Sequence, residues 1–130
     1  YRRGNGKLLF NARSETADAK ALFRDGMRQR RCLVPAAHYF EWEKRGKDRI
    51  KYAIRPGGAS VMYMAGIYRL ENDMPVFTIL TREPAAAISF IHDRMPVILP
   101  KEAAGDWLNI RYDAGDVLAG AVQDVECWLA

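Results

Sequence analysis

The sequence predicts an α+β fold in a single domain, built on a curved, mostly antiparallel, barrel-like sheet with short helices at its flanks. Three observations predict it. Short apolar segments bounded by turn residues crowd the middle of the chain, where strands are expected. Helical spacing of apolar residues is confined to the two ends. The length of 130 residues, with 49% apolar and 28% charged side chains, suits one domain around one core.

Residues 8–10 read as a short strand ending at Asn11. Residues 19–30 have helical spacing, with Ala19, Leu22, Phe23 and Met27 on one face and Asp18 placed as the N-cap. Arg24, Arg28 and Arg31 fall on another side, facing phosphates or simply water. Cys32-Leu33-Val34 is a short buried strand that Pro35 stops. Residues 39–43 are aromatic-rich and extended. Gly46, among the charges of residues 44–48, predicts a hairpin turn, and residues 50–54 return as a strand. Pro56-Gly57-Gly58 turns into residues 61–68, an apolar strand of the kind buried on both faces. Glu71-Asn72-Asp73 turns again, into a strand over 76–81. Residues 83–91 read as a short helix and 95–99 as extended. Residues 101–109 read as an amphipathic helix turning Ala104, Trp107 and Leu108 inward. A second short helix over 113–118 and a closing strand over 122–128 complete the chain. There are no repeats and no low-complexity linker.

Net charge is +4, unevenly spread. Residues 1–51 carry 14 Lys/Arg against 6 Asp/Glu, and the remainder carry 6 against 10. The basic first part suits a polyanion such as nucleic acid, or is simply a solvated surface. No apolar run approaches the roughly 18–20 residues that span a bilayer, so no membrane partner is expected. No signal peptide is visible, though the chain begins at Tyr1 rather than Met. The two cysteines, Cys32 and Cys127, sit among apolar neighbours and read as buried, reduced thiols. No CxxC pair or Cys/His cluster has metal-ligand spacing, so neither a metal nor another cofactor is expected.

Four segments are too polar for the apolar frames around them: residues 11–16, 31–36, 39–42, and 78–81 with 92–97. Glu41 lies between Phe40 and Trp42. In an alternating strand Tyr39, Glu41 and Glu43 share one face. An apolar setting would fit Glu41 for acid–base work near neutral pH; the alternative is an exposed carboxylate paired with a lysine. His92 follows an apolar stretch and precedes Asp93-Arg94, and is either a proton relay or a structural histidine. Asn11 and Arg13, two apart, can point the same way. The amide can orient an amine or hydroxyl and the guanidinium can grip a phosphate, or Asn11 is only a turn residue. Arg94 is a second phosphate ligand, or the partner of Asp93 or another neighbour. No serine stands in a nucleophile elbow and no phosphate loop is present. These residues give an acid–base pair, an amide and two arginines, but no nucleophile.

In order along the chain, Asn11-Ala12-Arg13-Ser14-Glu15-Thr16, Arg31-Cys32-Leu33-Val34-Pro35-Ala36, Tyr39-Phe40-Glu41-Trp42, and Thr78-Ile79-Leu80-Thr81 followed by His92-Asp93-Arg94-Met95-Pro96 resemble the SOS response-associated peptidase family. Each motif is weak alone; four in order are specific. The resemblance implies a monomeric protein, cytoplasmic and nucleoid-associated if bacterial, that binds abasic sites in single-stranded DNA. In that family a mature N-terminal cysteine closes a thiazolidine on the sugar aldehyde, and the same machinery removes the initiator methionine. Carried onto this sequence, Asn11, Glu41 and His92 are the catalytic residues. Thr81 holds the sugar or a water, and Arg13, Arg94 and Trp42 contact DNA. The family's cysteine and its upstream Trp-Gly segment lie outside these 130 residues, so the chain is expected to be a form lacking the N-terminal segment, with apolar surface exposed in consequence. His38 stands where the family more usually has glycine. A thiol peptidase and a non-catalytic single-strand binding module are the alternative readings.

Overall fold

Apolar side chains on both sides of one central strand decide the architecture. The structure is a computed structural model describing residues 1–130. In chain order the strands are β1 (Asn11–Arg13), β2 (Arg31–Ala36), β3 (Tyr39–Arg45), β4 (Asp48–Pro56), β5 (Met62–Glu71), β6 (Met74–Arg82), β7 (Met95–Pro96), β8 (Ile98–Leu99) and β9 (Val125–Leu129). The helices are α1 (Ala21–Gln29), α2 (Lys101–Leu108) and α3 (Ala114–Leu118). One sheet runs β1-β6-β5-β2, with β7 on β6 and β8 on β5. The other is β3-β4-β9. Every pairing is antiparallel except β1 with β6, in keeping with the expected α+β class.

The expectation that the 61–68 segment is buried on both faces holds from Met62 to Ile67. Ala65 and Ile67 of β5 pack with Phe23, Met27, Leu80 and Trp107 under the helices. Met62 and Met64 point the other way, into a layer with Ile54, Ile88, Met95 and Val125 against the second sheet. Two tight hairpins fix register. Gly46 takes φ +62° where Arg45 meets Asp48. Asn72 and Asp73 take φ 50° and 63° where Glu71 meets Met74, the double left-handed geometry that matches strand twist.

Several local expectations are corrected. Residues 8–10 form no strand; Leu8 makes an isolated bridge to Arg2, and pairing with β6 starts at Asn11. The buried side chain there is the small Ala12, while Phe10 lies 74% exposed. Helix α1 starts at Ala21 behind Lys20, because a 3-10 turn over Ala17–Ala19 absorbs Asp18, which pairs with Arg28 instead of capping. β2 runs through Pro35, which an edge strand tolerates. Arg31 faces neither phosphate nor water. It is buried, donating to the carbonyls of Met27, Asn109 and Tyr112 at 2.7, 3.3 and 2.9 Å, with its guanidinium over the Trp107 ring.

Residues 83–91 hold only a 3-10 turn, Ala86–Ile88. Ala85, Ile88 and Ile91 are all buried at a spacing of three, which is the 3-10 period rather than 3.6. In α2 the buried stripe is Ala104 and Trp107 alone, and Leu108 is exposed. The last strand begins at Val125, since Val122 spends its N–H on the Ile98 carbonyl.

Gly26 illustrates packing overriding helix propensity. A Cβ there would stand 2.7 Å from the Tyr1 hydroxyl, 2.9 Å from Ile67 Cδ1 and 3.0 Å from Ile67 Cβ. Glycine to alanine within a helix ordinarily gains up to about 1 kcal/mol. Here overpacking of about 1–3 kcal/mol opposes that gain. Gly26→Ala is therefore expected to lower stability by about 1 kcal/mol net, read as a lower urea midpoint at unchanged slope.

Candidate active site

Alternate residues of β1 and β6 project from the six-stranded sheet toward β3. The register sets Asn11 beside Ile79 and Arg13 beside Thr81, so the two polar side chains of β1 do share a face. From the other sheet, β3 turns Tyr39 and Glu41 inward, while Trp42 faces out and Phe40, also on the outer face, borders the cleft at its rim. The segment after the 3-10 turn brings in His92 and Arg94. These elements enclose a cleft of about 280 Å3, with Asn11, Tyr39, Glu41, Thr81, His92 and Arg94 on its walls and Met64, Ile79 and Met95 between them. Five of the seven sequence-selected residues thus meet in one place.

Arg94 is largely buried and already held. It donates to Glu15 Oε2 at 2.8 Å and to the Thr81 hydroxyl at 3.3 Å (Nε) and 3.2 Å (Nη2). Its neighbour is Glu15 rather than Asp93. Thr81 is buried and oriented by that guanidinium. His92 Nδ1 lies 3.1 Å from the Arg94 backbone N–H, which donates to it. Asp93 Oδ1 lies 3.2 Å from the same Nδ1. Glu41 is half-buried; one oxygen accepts the Trp42 N–H at 3.1 Å, leaving the other for an incoming group. Glu43, on the same strand face, is tied to Arg45 at 2.6 Å.

The remaining two selected residues stand apart from the cleft. Arg13 is exposed and makes no ion pair. Trp42 lines an adjoining groove that shares His92 with the cleft. Both cysteines are free and half-buried, and neither lines the cleft. Burial pushes the Cys32 thiol up from its ordinary value.

Two residues gain a place that sequence reasoning did not assign. Tyr39 lines the cleft with a buried hydroxyl that has no partner. Burial first, then the Glu41 charge, pushes its pKa well above the usual tyrosine range, so the hydroxyl keeps its proton. Its period-2 relation to Glu41 was the available signal. Glu15 is the other, and only folding brings it to Arg94.

The hydrogen bond from Arg94 holds the Glu15 carboxyl below its ordinary value of 4.5, and the charges of Arg94 and Arg13 act in the same direction. A depressed carboxylate binds fewer protons folded than unfolded. The pair therefore stabilises the fold above that ordinary value and loses its effect as pH falls through the lower folded value. Glu15→Gln is expected to flatten the acid side of the stability–pH curve. Because the pair is partly solvated, the loss near pH 7 should stay under about 1 kcal/mol. Chemical denaturation across the acid range measures both.

Asn11 has a further position. It also lines an apolar groove of about 650 Å3 bounded by Leu8, Phe10, Val76 and Phe77, and so forms the wall between that groove and the cleft. No helix of the structure is long and apolar enough to cross a membrane.

Comparison with known proteins places this geometry. The family model described as SOS response associated peptidase (SRAP) matches residues 2–127. The abasic site processing protein YoqW of Bacillus subtilis is 35% identical over 124 residues, covering 91% of this chain and 55% of the relative. The abasic site processing protein YedK of Escherichia coli is 31% identical over 105 residues, covering 78% and 47%. A crystal structure of a protein from Bacteroides thetaiotaomicron superposes with a TM-score of 0.82 at 30% identity, covering 92% of this chain and 57% of that one. The chain spans about half the length of the curated relatives it matches. With the model matched over nearly all its residues, the chain belongs to the SOS response associated peptidase family.

Proposed function

We propose that this chain carries the cleft of a protein that processes abasic sites in single-stranded DNA, and that the whole protein closes a thiazolidine on the lesion through an N-terminal cysteine. The observation that carries the reading is the gathering of Asn11, Tyr39, Glu41, Thr81, His92 and Arg94 around one small cleft. The names of the relatives, abasic site processing proteins, agree with it.

In this reading the base-free sugar enters the cleft. His92 gives a proton to the ring oxygen as the sugar opens, exposing the C1 aldehyde. An α-amine, with a pKa of about 7.7–8.0, is partly neutral at physiological pH and attacks that carbon. Water leaves as the imine forms. The cysteine sulfur then adds to the imine carbon, so aldehyde plus aminothiol become thiazolidine plus one water. Glu41 accepts the amine proton and returns it to the departing oxygen. Asn11 orients the amine, and its place beside the apolar groove lets a segment lying there reach the cleft. Thr81, set by Arg94, holds the sugar. Exposed Arg13 binds a flanking phosphate, and Arg94 joins it through Nη1, which neither Glu15 nor Thr81 engages. Trp42 receives a neighbouring base. The same acid–base set would hydrolyse the peptide bond after an initiator methionine.

The test uses the full-length protein and a single-stranded oligonucleotide with one abasic site. A heat-stable band on a denaturing gel, lost when the N-terminal cysteine becomes alanine, is the expected result. No band with that cysteine intact would overturn the crosslinking reading.

A further inference from the structure

The outward face of the β3-β4-β9 sheet carries a row of aromatic rings that the cleft chemistry does not use. Phe40, Ala53 and Trp128 lie side by side in register, one from each strand. Ala53 is buried, while Phe40 and Trp128 are 44% and 39% exposed and Trp42, two residues along β3, is 43% exposed. His38 meets both outer rings edge-on, at 4.9 Å from Phe40 and 5.9 Å from Trp128. Cations are interleaved with the rings. The Lys51 ammonium stands 4.0 Å over Phe40 and 5.6 Å from Trp42, and the Arg55 guanidinium lies 5.0 Å over Trp128. Lys44 and Arg49 face each other further along. The one carboxylate of this face, Glu126, is already paired with Arg55 at 2.7 Å.

We infer that this face is a stacking platform for single-stranded nucleic acid, receiving undamaged bases that flank whatever occupies the cleft. Charge selects the occupant: with Arg55 and Glu126 neutralising each other, Lys44, Arg49 and Lys51 remain, and three uncompensated cations call for a polyanion. The exposed rings select among polyanions, because only an unpaired strand offers free base faces to stack on them. A cation over an exposed ring is held weakly, so a base can displace the ammonium onto the adjoining phosphate. The platform is also continuous with the cleft. Phe40 borders the cleft at its rim, and Trp42 lies in the groove that shares His92. A strand leaving the cleft on that side crosses these two rings and reaches Trp128. The inference rests on the single-strand reading above, but it concerns undamaged bases and a surface beyond the reacting groups.

The experiment follows an undamaged, dye-labelled oligothymidylate binding to the full-length protein, by anisotropy and by tryptophan quenching, with heparin as a polyanion without bases. Phe40→Leu and Trp128→Ala are each expected to weaken the oligonucleotide about tenfold and to leave heparin unchanged. Phe40→Tyr should retain wild-type affinity, and Trp128→Phe should lose part of the quenching while still binding. Lys51→Gln should weaken both ligands and lower the salt slope by about 0.7. Equal loss of oligonucleotide and heparin in the ring variants, or no loss in either, overturns the platform. So does the finding that Trp128 is quenched by an acidic peptide and not by the oligonucleotide. The two readings separate cleanly. Trp128-dependent binding without any abasic adduct would leave the platform and remove the proposed function. An adduct with no Trp128 effect on undamaged DNA would do the reverse.

Discussion

Glu41→Gln in the full-length protein is expected to slow abasic-site adduct formation by about 10²- to 10⁴-fold, the range for loss of one positioned acid–base group. The substitution is nearly isosteric. An amide oxygen can still accept the Trp42 N–H that holds the side chain in place, so rotamer and fold should survive. What disappears is the oxygen free to take a proton. Binding of the same oligonucleotide, measured before reaction, should be unchanged. The pH dependence of the residual rate should lose one limb. A rate within about threefold of wild type, well short of that range, would remove Glu41 from the proton path. Tyr39, with its unpartnered hydroxyl in the same cleft, would then be the next group to substitute.

Trp107→Ala is expected to cost about 3–5 kcal/mol, the usual loss for deleting a fully buried large aromatic. Trp107 has no exposed surface and sits in the layer between helices and sheet. Its indole N–H is shared between the carbonyls of Cys32 and Gly66, at 3.0 and 3.2 Å. These belong to register partners of β2 and β5, so one side chain ties helix α2 to the middle of the sheet. It also supports the buried Arg31 guanidinium, 4.8 Å from its ring. Alanine therefore opens a cavity, removes a donor and uncovers a buried cation together. Domains of this size are stable by only about 5–15 kcal/mol, so much of the margin would be lost. Urea denaturation measures it. Trp107→Phe, which keeps most of the volume but not the N–H, should recover more than half of the loss.

The elements legible in the sequence were those whose signal is local. The apolar run of β5 requires two covering layers wherever it sits, and it received them. Gly46, and Asn72 with Asp73, mark turns because a left-handed backbone is a property of single residues. The alternation of Tyr39, Glu41 and Glu43 on one face follows from strand geometry alone. The ordered motifs pointed to five residues that line the cleft, because polar side chains stand out within apolar frames. Local signals misled where a longer-range requirement prevailed. Asp18 was an N-cap by composition, yet its carboxylate pairs with Arg28 a helix-length away. The alanine-rich 83–91 segment looked helical, yet burying Ala85, Ile88 and Ile91 against the second sheet imposes a spacing of three.

By itself, then, the sequence determined the sheet-rich α+β class, the tight turns, the pairing of Asn11 with Arg13 on one strand face and the family. Only the tertiary structure decided which polar groups are buried and what they touch. Arg31 became an internal clamp on Trp107, Glu15 met Arg94 across 79 positions, and Tyr39 kept an unpartnered hydroxyl in the cleft. The physical reason is that turn and strand preferences are set by each residue and its immediate neighbours. The environment of a charge or hydroxyl is set instead by chain segments that folding alone brings beside it.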